Sequence, residues 1–222
     1  TLDLAVKYKA KYVFASSSVI YGAPSIDHFN FSESDQGTVN HLSPRGCYDE
    51  GKRFAETCVE TYRQVYGLDG KIARIFTTYG PRMKLRDGLL LPDFIIDALE
   101  NKDLVIYGDD SIEQTLCYVT DTIDAMVRLM KTDSEHHIFN IGSEEKLKMV
   151  DVANLIIQMT ESSSSVVFED PLVFLTSKGI PNLTLAKDEL GWMPLVSLKD
   201  GLQKTIDYAI ANKEALGLNY NI

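Results

Sequence analysis

The chain has 222 residues, a formal net charge of −10, 45% apolar and 24% charged residues. That composition suits a globular protein with a sizeable core in one or two domains, and its acidity argues against a general nucleic-acid or anionic-membrane surface. No apolar run approaches the length of a membrane span, and Cys47, Cys58 and Cys117, odd in number and without metal spacing, read as reduced thiols of a cytoplasmic protein.

In chain order, residues 1–10 read as the tail of a helix, with Leu2, Leu4, Ala5 and Val6 near one face. Tyr12-Val13-Phe14-Ala15 is an apolar run ending in Ser16-Ser17-Ser18 and then Tyr21-Gly22. It predicts a buried strand that delivers Ser17 to its carboxyl end, where open α/β sheets place ligands. Residues 23–42 are polar and punctuated by Pro24, Asn30, Gly37 and Asn40, as in a surface loop. Ser43 and Pro44 predict a helix start, a capping hydroxyl followed by proline at the first helical position. Phe54, Cys58, Tyr62 and Val65 continue at helical spacing, and Gly67 is the predicted stop.

Tyr48 and Lys52 then stand four apart on one helix face. A phenol ordinarily loses its proton near pH 10, and a nearby cation favours the phenolate. Moving such a group to about pH 7 takes roughly 4 kcal/mol, and would make it a general base for a hydroxyl proton. The same spacing also arises in helices where the tyrosine packs and the lysine is solvated.

Further along, Lys71 to Phe76 reads as a strand and residues 77–88 as a loop made locally basic by Arg82, Lys84 and Arg86. That loop suits a phosphate or diphosphate, or is a solvated charged surface. Residues 91–100, 121–130, 150–159, 183–190 and 198–211 read as helices, and 104–107, 114–119 and 138–141 as strands. His136 and His137 lack a third ligand at suitable spacing and read as a solvated turn, so no metal site is expected.

Ser16-Ser17-Ser18 with Tyr21-Gly22, Tyr48-x-x-x-Lys52, Arg74-Ile75-Phe76-Thr77-Thr78-Tyr79-Gly80-Pro81-Arg82, Tyr107-Gly108-Asp109, Phe139-Asn140-Ile141-Gly142 and Leu190-Gly191-Trp192-x-Pro194 occur in that order. In these motifs the sequence resembles the extended short-chain dehydrogenase/reductases that modify nucleotide-sugars, the NAD-dependent epimerase/dehydratase family. The segment from Pro44 to Arg53 looks most like the UDP-glucuronate decarboxylase branch.

The resemblance implies an α/β, Rossmann-like doubly wound parallel sheet with a small α/β substrate-binding cap. No Gly-x-x-Gly-x-x-Gly loop for a dinucleotide pyrophosphate occurs in the 222 residues, so the chain reads as the later part of that fold, its N-terminal βαβ units missing. By the same analogy residues 1–76 and 112–141 belong with the dinucleotide-binding domain, and 77–111 and 142–222 form most of the cap. The cofactor implied is NAD, with NADP left open, held by Ser16, Tyr48, Lys52 and Thr78. The partner implied is a nucleotide-diphosphate sugar, met by Thr77, Arg82, Tyr107 and Gln114.

In the chemistry so implied, Tyr48 takes the proton of a sugar hydroxyl, Lys52 holds the nicotinamide ribose, and Ser17 orients the reacting oxygen. Three departures from the family pattern bear on the outcome. Val19 stands where decarboxylases and dehydratases carry a glutamate, which favours epimerisation over decarboxylation or dehydration. Thr77 replaces the usual asparagine. The two common substrate arginines fall at Gln114 and Gly179, the latter beside Lys178. The departures also suit a reading from another class, a non-catalytic dinucleotide-binding sensor. A homodimer is expected through the second apolar side of the Tyr48 helix at Phe54, Cys58 and Tyr62.

Overall fold

The computed structural model describes residues 1–25, 27–86, 89–172 and 178–217. These form two compact units: residues 1–77, 120–144 and 178–194, and residues 78–119, 145–172 and 195–217.

In the first unit, α1 (Leu2–Tyr8) leads into β1 (Tyr12–Ser17), and a single 3-10 turn, Ser18–Tyr21, follows. A two-residue strand, β2 (Asn30–Phe31), precedes the 21-residue helix α2 (Gly46–Tyr66) and β3 (Gly70–Ile75). Then come α3 (Val119–Lys131), β4 (Ile138–Ile141), β5 (Ile180–Pro181) and α4 (Thr184–Leu190). The sheet runs β1-β3-β4, all parallel, with Ser16 opposite Arg74 and Arg74 opposite Asn140. Parallel neighbours need long crossovers, and helices α2 and α3 lie within them. The central strand β3 is buried along nearly its whole length, as expected when helices cover both faces of a parallel sheet. β2 pairs in parallel with β5.

Helix α2 ends where Gly67 turns left-handed at φ 65°. The Gly67 and Leu68 amides then bond back to the Arg63 and Tyr62 carbonyls, which satisfies the last turn. On α3 the stripe Ala125 and Leu129 is buried, and the buried indole of Trp192 donates to the Asp121 carbonyl at 3.0 Å.

The second unit packs three helices, Leu90–Leu99, Met149–Met159 and Leu198–Ala211, with short paired strands. Leu104–Tyr107 runs parallel to Val166–Glu169, and Glu113–Thr115 antiparallel to Lys146–Lys148. Its core contains Phe94, Ile95, Leu104, Ile106, Val152, Ile156, Leu202 and Ile206. Gly201 lets the last helix approach Tyr79: a Cβ there would meet the Tyr79 hydroxyl at 2.1 Å.

The structure revises several local expectations. Helix α2 begins at Gly46, not at Pro44, because the Ser43 carbonyl accepts the Gly46 amide at 2.9 Å and closes a turn before the helix. The expected loop 23–42 contains β2, whose partner strand is about 150 residues away and has no local signal. The expected strand 114–119 is two short strands, Glu113–Thr115 and Cys117–Tyr118. Val166–Glu169 is a strand that residue pattern alone did not indicate. Residues 178–194 cluster with the first unit. Of the loop 77–88, residues 87 and 88 lie outside the described residues. No helix among the described residues is long and apolar enough to cross a membrane.

Candidate active site

The site is built at the carboxyl end of β1. Successive strand residues face opposite sides, and the two serines there diverge. Ser17 Oγ accepts the Val19 amide at 3.4 Å and caps the 3-10 turn. Ser16 is 3% exposed, and its hydroxyl donates to Glu56 Oε1 at 2.5 Å. The side chain expected to meet a cofactor is therefore occupied beneath α2.

Helix α2 carries Tyr48, Lys52 and Glu56 at intervals of four, on one face. Lys52 Nζ donates to the Ala15 carbonyl at 2.8 Å and lies 5.8 Å from the centre of the Tyr48 ring. The anchor to β1 holds the cation beside the phenol. Tyr48 is 48% exposed, and its hydroxyl has no hydrogen-bond partner among the described residues. The Arg45 guanidinium lies 5.5 Å from the same ring centre and pairs with Asp49 at 3.2 Å. Tyr48 thus sits in the first turn of a helix with the Arg45 and Lys52 cations close to its ring.

Beneath this surface lies a buried polar network that the sequence reading did not foresee. Arg74 Nη2 meets Glu56 Oε2 at 2.9 Å, and its Nη1 donates to Tyr21 Oη at 2.9 Å. Tyr21 Oη in turn donates to Asn140 Oδ1 at 2.7 Å. Burial pushes the Tyr21 phenol up to about 12 against the opposing pull of Arg74. Burial also raises the Glu33 carboxyl, which accepts the Asn140 amide at 2.7 Å. A signal was present: Glu56 continues the Tyr48 and Lys52 face by one more turn.

Thr77 accepts a hydrogen bond from Lys178 Nζ at 3.2 Å. Burial, with the Arg45 charge adding to it, pulls Lys178 below the ordinary lysine range. The neighbouring Gly179 has a packing reason. A Cβ at this position would lie 2.3 Å from the ring of Phe31, which stacks on Tyr21 with centroids 4.6 Å apart. An arginine cannot occupy 179 without displacing that stack; the adjacent Lys178 places a cation beside Thr77.

Of the residues singled out from the sequence, Ser16, Ser17, Tyr48, Lys52 and Thr77 lie in the first unit. The others lie in the second. Thr78 pairs with Cys117 in a two-residue ladder. Arg82 adopts a left-handed backbone at φ 68° and lines an apolar cavity with Met83, Leu91, Ile95 and Tyr208. Tyr107 ends its strand opposite Glu169, and Gln114 lies opposite Leu147.

A parallel sheet with a helix-borne Tyr/Lys pair at the carboxyl end of a strand defines a Rossmann-like protein of the short-chain dehydrogenase/reductase type. The family model described as the NAD dependent epimerase/dehydratase family matches residues 1–142, and the chain belongs to that family. It is 37% identical over 207 residues to UDP-glucuronic acid decarboxylase 1 of Xenopus tropicalis, covering 93% of this chain and 48% of the relative. The chain spans about half the length of such curated relatives. Among solved structures it resembles a UDP-glucose 4-epimerase from Thermotoga maritima with UDP-glucose, with TM-score 0.87 and 26% identity over 96% of this chain and 67% of that one. It also resembles a UDP-glucuronic acid 4-epimerase from Bacillus cereus in complex with UDP-glucuronic acid and NAD, with TM-score 0.81 and 26% identity over 95% of this chain and 65% of that one.

Proposed function

We propose that this chain carries the catalytic Ser/Tyr/Lys site of an NAD-dependent enzyme that transiently oxidises a hydroxyl of a nucleotide-diphosphate sugar and completes an epimerisation. The observation that carries this reading is the Lys52 ammonium held beside the exposed Tyr48 phenol at the carboxyl end of β1. These residues fit the nicotinamide-ribose half of the cofactor: Lys52 uses one of its three donors on Ala15, and the Tyr48 hydroxyl is free to turn toward a ligand. NAD supplies the hydride acceptor and, after the sugar has turned, the donor.

The chain's own residues handle the proton and the geometry. Tyr48 Oη accepts the proton of the sugar hydroxyl as the carbonyl forms, and returns it on reduction. Lys52 keeps its ammonium beside the phenol during this exchange and offers its remaining donors to a ribose hydroxyl. Ser17 Oγ hydrogen-bonds the reacting oxygen and orients it. Thr77, Arg82, Tyr107 and Gln114 are proposed sugar-nucleotide contacts, with Lys178 as the cation beside Thr77.

A second reading, decarboxylation of UDP-glucuronate, is favoured by the likeness to the decarboxylases. Val19 speaks for epimerisation, since it cannot carry a proton where those enzymes use a carboxylate. The test is to incubate full-length protein with UDP-glucuronate and with UDP-glucose. An epimer without UDP-xylose supports the first reading; UDP-xylose overturns it in favour of the second.

For assembly we infer a homodimer through α1 and α2, supported by the exposed Leu4, Phe54 and Val65 along the two helices. No disulfide links Cys47, Cys58 and Cys117, which suits a reducing compartment such as the cytosol.

A further inference from the structure

We propose that Glu56 is a positioning residue that sets Ser17 against Tyr48 and Lys52; the proposal rests on the catalytic reading above. Glu56 lies one helical turn beyond Lys52 and is buried. Its Oε1 accepts from Ser16 Oγ at 2.5 Å, and its two oxygens meet Arg74 Nε at 3.2 Å each and Nη2 at 2.9 Å. Ser16 and Arg74 are register partners on β1 and β3. One carboxylate therefore ties α2 to both strands at the residue immediately before Ser17.

Lys52 makes a second tie, to the carbonyl of Ala15. The helix that carries the base is thus fastened to two consecutive residues of β1, and the next residue is Ser17. Sliding or turning α2 relative to that strand end would break a buried hydrogen bond to a charged group, a costly change. Arg74 extends the restraint across the sheet, through Tyr21 to Asn140 on β4. Turnover depends on the distance from Ser17 Oγ to Tyr48 Oη, and this network holds both ends.

The test uses the full-length protein and whichever UDP-sugar it turns over. Ser16→Ala removes the link to β1 and leaves the Glu56–Arg74 pair. It should lower kcat about ten- to hundredfold, as expected for a misplaced reacting group, with KM unchanged. Ser16→Thr keeps a hydroxyl there and should restore kcat. Glu56→Gln should also lower kcat, and adding Ser16→Ala to it should cost little more, because both act through one link. Unchanged kcat in Ser16→Ala, alongside an inactive Tyr48→Phe, overturns the positioning role and leaves the catalytic reading standing. A Ser16→Thr enzyme as slow as Ser16→Ala, or a loss carried by KM, also overturns it. An active Tyr48→Phe removes the catalytic reading itself, and the proposal with it.

Discussion

Lys52 holds its ammonium 5.8 Å from the centre of the Tyr48 ring by donating to the Ala15 carbonyl at 2.8 Å. The lysine is therefore part of the strand end as much as of the helix. Tyr48→Phe should lower turnover of the full-length enzyme by about 10²- to 10⁴-fold, the usual worth of a general base. Its effect on unfolding should stay within about 0.5 kcal/mol, because the side chain is half exposed and its hydroxyl bonds to no described residue. Product assays and thermal denaturation on the same preparation check both halves.

The Lys178 ammonium bonds to the Thr77 hydroxyl and lies in the field of Arg45. Its folded-state pKa lies below the unfolded value, so its contribution to stability is fully present only above the unfolded value, near 10.5. That contribution is lost as pH falls through the folded value, and at neutral pH the charge is a net cost. Lys178→Met should thus melt higher than the parent at pH 7, with the gap closing in strongly alkaline buffer. A variant that melts lower at pH 7 would contradict this account.

Arg74 is buried and serves Glu56, Tyr21 and the Glu33 carbonyl together. Arg74→Leu leaves the Glu56 charge inside the unit without its partner, and such losses run to about 3–5 kcal/mol. Denaturant titration should show a lower midpoint of that size. Since Glu56 then loses its hold on β3, activity per folded molecule should fall as well.

Phe54 is 70% exposed on α2, with Leu4 57% and Val65 64% exposed along the same pair of helices. Phe54→Glu puts a charge on this apolar surface. In light scattering at micromolar concentration the parent should have a dimer's mass, and Phe54→Glu a monomer's. A monomeric parent would remove the dimer.

The Tyr48 and Lys52 pair, the strand that ends at Ser17 and the stop at Gly67 were legible in the amino-acid order. Each depends on residues within a few positions of one another: helical spacing, an apolar run followed by hydroxyls, a glycine free to turn left-handed. The tertiary structure decided what those residues touch. Ser16 and Ser17 look equivalent in the sequence, but strand alternation sends one hydroxyl to Glu56 and leaves the other at the end of the strand. Glu56 reads as an ordinary helix carboxylate until β3 places Arg74 opposite Ser16. Gly179 reads as a lost arginine until Phe31 is seen occupying the space where its Cβ would stand. These pairings join residues tens to more than a hundred positions apart. Their register is set by packing across the sheet, a long-range property that local spacing does not encode.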